Sequence, residues 1–113
     1  MVRIEAIVRP GKLEDVRLAL EDAGHRGISV TEIKGAGKQK GFTQHYRGTE
    51  YQINLLPKVY ISLVVRDEEC ERLIEVIEDA ARTGEIGDGK IFVSPVIDAL
   101  RIRTGDRGNY AVM

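Results

Sequence analysis

The 113-residue sequence predicts an α+β fold of four strands and two helices, and three observations carry this prediction. Two segments alternate apolar and polar residues with a period of two, which is typical of half-buried strands. Each is followed by a segment whose apolar residues recur at helical spacing, and a further strand pattern follows each helix. A long polar stretch without a helix joins the two β–α–β units. This order is typical of the ferredoxin-like, split β–α–β arrangement, an antiparallel sheet with both helices on one face.

The first unit begins with a strand over Val2–Val8, where every second residue is apolar. A Pro-Gly pair then breaks the pattern. A helix is predicted over Leu13–Ala23, and Gly24 stands where the left-handed turn that ends many helices favours glycine. A weaker strand over Ser29–Lys34 completes the unit.

The second unit repeats this order. Val59–Val65 alternates as a strand, and Asp67 is predicted to cap the helix that follows it. The apolar stripe of that helix covers Cys70–Ala81, and Gly84 is predicted to end it. Because Cys70 lies on the stripe, it is predicted to be a small core residue rather than a reactive thiol.

The C-terminal part adds one strand and a tail. The strand is predicted over Ile91–Val93, with an extension to Val96 left open. Arg101 and Arg103 alternate in what is predicted to be an extended segment, which would place both guanidinium groups on one side. Such a pair can clamp a phosphate or form a solvated basic edge, and both interpretations stay open.

The composition is that of a soluble globular protein, and the chain is predicted to be a single cytoplasmic domain over residues 1–113. Hydrophobic residues make up 42% and charged residues 31%. A net charge of −1 gives no general attraction for nucleic acid or an anionic membrane, so any anion site must be built locally. The single cysteine allows no intrachain disulfide, which fits the cytosol. No apolar run approaches the roughly 18 residues of a membrane span.

The second face of the predicted sheet has no helix to cover it. Ile7 and Val64 lie on this face together with Arg3, Tyr60 and other polar residues. A mixed, partly apolar face of this kind favours burial against copies of the same chain. Oligomerisation is therefore expected.

Two glycine-rich segments resemble nucleotide-binding signatures without matching them. The segment Gly84–Lys90 fits G-x-x-x-x-G-K, but Ile91 replaces the Ser or Thr that a P-loop needs, and a strand rather than a helix follows. The segment Gly35–Gly41 follows a strand but opens no helix, which excludes a dinucleotide fingerprint. Closely spaced glycines beside Lys90 can still bind phosphate, or they can simply form a turn that requires positive φ angles.

The side chains that usually carry catalysis are scattered. His25 and His45 lie far apart with no cysteine or carboxylate at metal-ligand spacing. The serines lack the setting of a nucleophile elbow, and no strong base is placed to activate water. The sequence therefore predicts a protein that is not an enzyme.

The long polar stretch from Gly35 to Lys58 holds three of the six aromatic residues of the chain. Loops beyond about 12–15 residues are uncommon in compact domains and are usually functional or disordered. The stretch is therefore predicted to have a functional role.

Three segments together resemble the PII nitrogen-regulatory signal-transduction proteins. They are "YRGTEY" (Tyr46–Tyr51), "TGEIGDGKIFVSPV" (Thr83–Val96) and "RIRTG" (Arg101–Gly105). The resemblance implies a ferredoxin-like homotrimer that carries ATP or ADP in clefts between subunits. It also implies sensing of 2-oxoglutarate with Mg²⁺-ATP, and docking on protein targets through a long T-loop at about residues 37–55.

The resemblance also assigns site residues by position. Those implied to bind the nucleotide are Ile7, Ser29, Gly35, Gly37, Lys38, Gln39, Ser62, Val64, Gly87, Asp88, Gly89, Lys90, Arg101 and Arg103. Those implied to bind 2-oxoglutarate are Gln39, Lys40, Gly41 and Lys58. Gln39 would complete the Mg²⁺ shell with the ATP phosphates and the keto acid, and Lys58 would pair with the distal carboxylate.

Several positions depart from the family's usual pattern. Ala36 replaces a usual Phe, Lys38 a usual Arg, Ser29 a usual Thr and Ser62 a usual acidic residue. Thr49 stands where the modification signature usually has Ala or Ser.

Tyr51 occupies the family's modification site. The resemblance implies a surface tyrosine open to nucleotidylylation. Alternatively, Gln52–Leu56 extends a strand and Tyr51 is a packing residue at its base.

The implied partners are other proteins. They include an ammonium transporter, nitrogen-assimilation enzymes and a nucleotidylyltransferase, with membrane contact only through the transporter and no nucleic acid. The alternative hypothesis is a PII-like sensor that uses the same cleft for a different nucleotide or a small anion.

Overall fold

The computed structural model describes residues 1–35 and 55–113 in full and, between them, the backbone of residues 42–46 and 49–53. The strands are β1 (Val2–Val8), β2 (Ser29–Gly35), β3 (Phe42–Tyr46), β4 (Thr49–Ile53), β5 (Leu56–Val65) and β6 (Lys90–Pro95). The helices are α1 (Leu13–Asp22), α2 (Cys70–Ala81) and α3 (Asn109–Val112).

The main sheet has four strands in the order β2-β5-β1-β6, and every neighbouring pair is antiparallel. Strands β1 and β5 are the two inner strands of the sheet, and β2 and β6 are the outer ones, so each β–α–β unit contributes one inner and one outer strand. This is the ferredoxin-like topology, and the predicted fold class is confirmed.

The core lies between this sheet and the two longer helices. Its buried residues all belong to β1, β5, α1 and α2: Ile4, Ala6, Val8, Val16, Leu20, Val59, Ile61, Leu63, Val65, Cys70, Leu73, Ile77 and Ala81. Burial of each large aliphatic side chain contributes roughly 1.5–3 kcal/mol. The placement of Cys70 in this cluster confirms its predicted core role.

The polar stretch between the units contains an antiparallel hairpin that the sequence did not predict. Strands β3 and β4 pair from Phe42 opposite Ile53 to Tyr46 opposite Thr49. In β4, Tyr51 and Ile53 alternate with polar residues, but in β3 the apolar residues stand only at the two ends, so the pattern did not indicate a pair of strands. Tyr51 lies in β4, opposite Gln44.

The alternative in which Gln52–Leu56 extends a single strand agrees with the structure only in part, because Leu55 lies in no strand. Strand β4 ends at Ile53, and β5 begins separately at Leu56. Because β5 begins three residues before the predicted Val59, it carries Lys58 into the main sheet.

The predicted cap of α2 is also wrong. Asp67 makes no side-chain capping bond, and its carboxylate lies 2.9 Å from the α-amino group of Met1. A short 3₁₀ turn over Asp67–Glu69 precedes the helix. The helix ends at Ala81 rather than near Gly84, whose φ of +89° belongs to the following loop. By contrast, Gly24 has the expected positive φ of +89° after α1.

The tail differs most from its prediction. Residues 102–104 form a turn, and the N–H of Gly105 donates to the carbonyl of Arg101 at 2.8 Å. Arg101 and Arg103 therefore do not alternate along an extended segment, and the argument that placed them on one side fails. Helix α3 follows the turn.

The uncovered sheet face has its polar side chains paired across strands. The guanidinium of Arg3 donates to the Ser62 hydroxyl at 3.0 Å, and the Tyr60 hydroxyl donates to Glu5 at 2.5 Å. The bond to Glu5 holds the pKa of Tyr60 above its usual value. Within the described parts of the chain, no helix has the length and hydrophobicity needed to cross a membrane.

Candidate functional site

The glycine-rich loop between α2 and β6 packs directly on the end of β1. Gly89 has a φ of +99°, and a Cβ atom added there would lie 1.7 Å from the carbonyl oxygen of Ile7. Gly87 has a φ of +105°. Only glycine fits such a conformation and so close a contact. The predicted turn with positive φ angles is confirmed, and its glycines leave the backbone open to a ligand.

The carboxylate of Asp88 organises this loop from within. It accepts the N–H groups of Thr83 and Gly84, each at 2.8 Å, and the Thr83 hydroxyl at 2.5 Å. These bonds hold the pKa of Asp88 far below its usual range. Since the side chain is already hydrogen-bonded inside the loop, the predicted contact of Asp88 with a nucleotide would fall to its backbone.

Arg9 joins the same loop to the end of β1. Its Nε donates to Asp88 Oδ1 at 3.1 Å, and its Nη2 donates to the carbonyl oxygen of Ile86 at 2.8 Å. Sequence analysis did not single out Arg9. The sequence shows only that Arg9 is a basic residue directly after β1. It does not show that the glycine-rich loop lies beside it.

Lys58 reaches the loop from β5. Its Nζ donates to the carbonyl oxygen of Gly87 at 2.7 Å. Desolvation is the main cause that lowers the pKa of Lys58, and the nearby charge of Arg9 adds to it while Asp88 opposes it. Lys58 also lines an open cleft of about 430 Å³ together with residues of β2, including Glu32 and Lys34. The structure thus brings Lys58 and the glycine-rich loop together, two features that are 29 residues apart in sequence.

Gly35 lies on the same side of the sheet edge. It ends β2, and a Cβ atom added there would lie 3.3 Å from Cγ of Lys58. Lys90 begins β6 and pairs with Ile7 of β1. Gly35, Ile7, Lys58 and the loop through Lys90 therefore form one continuous region, which we call the loop site.

Other predicted site residues lie elsewhere on the chain. Ser29 and Ser62 are register partners on β2 and β5, and Val64 follows opposite Arg3 on the uncovered face. Arg101 lies in the tail, where its guanidinium donates to the main-chain oxygen of Met113 at 2.9 Å and lies 3.5 Å from the Asp106 carboxylate. Arg103 is exposed on the neighbouring turn.

Part of the predicted site falls on residues 36–41, which lie outside the described residues. These are Gly37, Lys38, Gln39, Lys40 and Gly41, and they include Gln39 as the expected Mg²⁺ ligand. Of Tyr51 only the backbone is described. Among the residues that the structure does describe, no three His, Cys, Asp or Glu side chains cluster to form a metal site.

Comparison with known proteins decides the family. The family model "Nitrogen regulatory protein P-II" matches residues 1–106. The chain belongs to the PII family. A PII protein of Azospirillum brasilense is 55% identical over 112 residues, which cover 99% of this chain and 100% of that protein. A second relative, from Rhodospirillum rubrum, is 56% identical over the same shares.

A solved PII structure has the same fold. Arabidopsis thaliana PII bound to citrate matches with a TM-score of 0.80 and 40% identity, covering 98% of this chain and 88% of that one. The resemblance inferred from the three sequence segments is therefore confirmed. PII proteins are named as nitrogen regulatory proteins, so the prediction of a regulator rather than an enzyme is confirmed by membership of the family.

Proposed function

We propose that this PII protein is a single-domain signal transducer in which ATP or ADP binds in clefts between the subunits of a homotrimer. The observation that carries the proposal is the loop site. Gly87 and Gly89 have positive φ and precede Lys90, and Lys58, which lines an open cleft, donates to the carbonyl oxygen of Gly87. Exposed backbone N–H groups in such a turn and nearby cations are the features that bind phosphate.

The same site supports sensing of 2-oxoglutarate. Lys58 lies at the cleft with its ammonium group held against Gly87, where it can pair with a ligand carboxylate. Mg²⁺ prefers oxygen ligands and substrate phosphates, and Gln39 would add a side-chain oxygen to that shell. Lys40 and Gly41 would contact the keto acid through their backbone. Binding of 2-oxoglutarate should then depend on Mg²⁺-ATP.

A homotrimer is proposed because one chain holds only part of the expected nucleotide site. Ser29, Ser62 and Val64 belong to the uncovered sheet face, and Arg101 and Arg103 belong to the tail, away from the residues that define the loop site. The tail also exposes Ile97 and Ile102 almost completely, as expected of a surface that packs on a neighbouring subunit. Light scattering should report a trimer, and a stable monomer would contradict the shared cleft.

Target binding is assigned to the T-loop at about residues 37–55. Its described part is the β3–β4 hairpin, which pairs with itself rather than with the main sheet. Tyr51 on β4 is proposed as the site of nucleotidylylation. The proposed targets are an ammonium transporter, nitrogen-assimilation enzymes and a nucleotidylyltransferase, all met in the cytoplasm, with membrane contact only through the transporter and no contact with nucleic acid.

Calorimetry tests the ligand assignment. ATP should bind with and without 2-oxoglutarate, whereas 2-oxoglutarate should bind well only with Mg²⁺-ATP. Because coupling is reciprocal, ATP affinity should rise by about 5- to 150-fold when 2-oxoglutarate is present. ADP, which lacks the terminal phosphate, should show no such coupling. Equal 2-oxoglutarate affinity with and without ATP would contradict the proposed mechanism.

A second candidate is a PII-like sensor of another nucleotide or a small anion. The citrate-bound Arabidopsis relative favours it, because citrate is a polycarboxylate and the loop site offers cations. Citrate titrated against the nucleotide-free protein distinguishes the two. Tight citrate binding without any ATP binding would support the second candidate.

A further inference from the structure

Two residues outside the set assigned to the ligands bond to the carboxylate at the centre of the loop site. Arg9 and Thr83 both donate to Asp88, from different segments of the chain. Arg9 comes from the end of β1, and Thr83 from the segment just after α2. Asp88 is therefore the point at which three segments of the chain meet.

We propose that Arg9 and Thr83 are positioning residues. Their hydrogen bonds to Asp88, which we call the clasp, fix the backbone of Gly87 and Gly89 in the conformation that binds an anionic ligand. The clasp also places the Gly87 carbonyl within reach of Lys58. The proposal rests on the proposed function of the loop site. It concerns what holds the site in place, and neither residue is required to touch the ligand.

Because Asp88 lies between two glycines, its side chain is the group that can restrict the backbone of this part of the loop. Glycine backbone is conformationally permissive, so Gly87 and Gly89 have little tendency to hold their positive φ angles by themselves. Fixing the Asp88 side chain to Thr83, Gly84 and Arg9 restricts the peptide units on both sides of it. The direction of the neighbouring N–H groups follows from that restriction, and preorganised donors bind an anion better than mobile ones.

The clasp also resolves an electrostatic conflict. A carboxylate in a phosphate-binding loop would repel the ligand if it faced the cleft unpaired. Here the Asp88 charge faces the Arg9 guanidinium at 3.1 Å, and three further donors point at it. The pair is neutral as a unit, so the Asp88 carboxylate adds little repulsion for an anionic ligand at the loop.

The side chain of each clasp residue makes two hydrogen bonds, so a conservative variant can show which of them the loop needs. Arg9 bonds Asp88 with Nε and Ile86 with Nη2, a fork that lysine cannot reproduce. The Thr83 hydroxyl donates to Asp88 and accepts the N–H of Glu85 at 3.1 Å. Serine keeps this hydroxyl, whereas valine keeps only the shape.

The test is ADP affinity by calorimetry, with the full-length protein and its variants. Arg9→Gln and Thr83→Val should each weaken ADP by roughly 10-fold, as expected when a charge-assisted hydrogen bond is lost. Thr83→Ser should restore the affinity to within about 2-fold of the wild type. The control is Arg17→Gln on α1, which removes an exposed pair with Glu14 and should leave the affinity unchanged.

A double-mutant cycle separates positioning from direct ligand contact. If Arg9 acts through Asp88, the losses from Arg9→Gln and Asp88→Asn should not add, because either change opens the same clasp. Additive losses would show that Arg9 contacts the ligand itself and would overturn the proposal. Unchanged ADP affinity in both Arg9→Gln and Thr83→Val would overturn it as well.

Hydrogen exchange gives a readout that needs no ligand. The N–H groups of Thr83 and Gly84 are exposed except for their bonds to Asp88, so Arg9→Gln should speed their exchange, while the amides of β1 and β5 keep the wild-type rates. Unchanged exchange rates of the Thr83 and Gly84 amides in Arg9→Gln would contradict the proposed clasp. A wild-type protein that shows this exchange pattern but binds no adenine nucleotide would instead overturn the proposed function.

Discussion

The loop Thr83–Lys90 and the tail after Pro95 were both predicted to supply phosphate ligands, yet they differ in how their polar groups are bonded. In the loop, the charged and polar groups bond to one another and to β1 and β5, so its shape is complete within one chain. In the tail, Arg101 bonds to Asp106 and Met113, while Ile97 and Ile102 are left exposed. The loop is held in shape by contacts within one chain, whereas the tail leaves apolar side chains exposed and is expected to pack on another subunit.

The difference shows how similar residue patterns acquire different roles. Both segments combine glycine with basic residues. The loop is bounded by α2 and β6, two elements packed on the core, so its ends are fixed. The tail is closed by backbone hydrogen bonds within itself, such as that from the N–H of Gly108 to the carbonyl of Ala99. Its ion pairs, such as that between Asp98 and Arg107, are exposed and contribute little. Substitutions in the two segments should therefore have unequal effects.

Gly89→Ala should cause the largest loss. A methyl group there would overlap the carbonyl oxygen of Ile7 in a backbone conformation with φ of +99°. We expect the free energy of unfolding to fall by more than about 3 kcal/mol, or the loop to move and ADP binding to be lost. Thermal unfolding and calorimetry measure both.

Gly84→Ala is the matched control. Gly84 also has a positive φ, +89°, but nothing lies within 4 Å of an added Cβ atom. Only the conformational strain of roughly 1–2 kcal/mol should appear. Equal losses in the two variants would show that the loop is not held against β1.

Lys58→Ala should remove 2-oxoglutarate binding and spare ATP. Loss of one partner of a partly desolvated charge pair costs roughly 2–5 kcal/mol of binding energy. Calorimetry with ATP and with 2-oxoglutarate measures the loss of affinity for each ligand separately. Lys34→Ala on the rim of the same cleft is the control and should change either affinity by no more than about 2-fold. Equal loss of ATP and 2-oxoglutarate in Lys58→Ala would indicate a general collapse of the loop site instead.

The clasp should persist in mild acid. Because the pKa of Asp88 is depressed in the folded state, its contribution to stability is present above its ordinary value of 3.8 and is lost as the pH falls through the folded-state pKa. The difference in unfolding free energy between the wild type and Asp88→Asn should stay constant from neutral pH down to about pH 5, and shrink below about pH 4. A difference that disappears near pH 6 would contradict this assignment.

Asp106→Asn should have the smallest effect, and in the opposite direction. Asp106 lies 3.5 Å from the guanidinium of Arg101, so it would compete with a phosphate bound there under the proposed function. Its removal should tighten ATP by less than about 5-fold, since exposed ion pairs contribute at most about 1 kcal/mol. Asp98→Asn is the control, because Asp98 pairs with Arg107 instead. Weaker ATP binding in Asp106→Asn would show that the tail turn itself shapes the nucleotide site.

Much of the fold was accessible to sequence reasoning because it rests on periodicity. The alternation in β1 and β5 and the stripe of α2 placed the core residues correctly, since one face of each element must be buried. Predictions about element ends were less successful. Asp67 is bonded to the N-terminal amino group instead of capping α2, and that partner arrives only when β1 is folded.

The predicted site was reached mainly through resemblance rather than through residue chemistry. The segment "TGEIGDGKIFVSPV" identified the loop, but nothing in it shows that Asp88 faces inward. Arg9 was missed because its partner lies 79 residues away along the chain. The hairpin of β3 and β4 was missed because the alternation in β4 is short and β3 has apolar residues only at its two ends.

The sequence alone determined which residues face the core, how the two β–α–β units follow one another, and to which family the chain belongs. These features depend on the local spacing of apolar residues and on short sequence motifs that can be recognised without the structure. Three further features depend on tertiary packing. Gly89 lies against Ile7, Lys58 and Arg9 both bond to the glycine-rich loop, and the guanidinium of Arg101 bonds to Met113 at the end of the tail. Hydrogen bonds and close contacts of this kind join residues that the packing of the core brings together, so their partners cannot be inferred from local spacing.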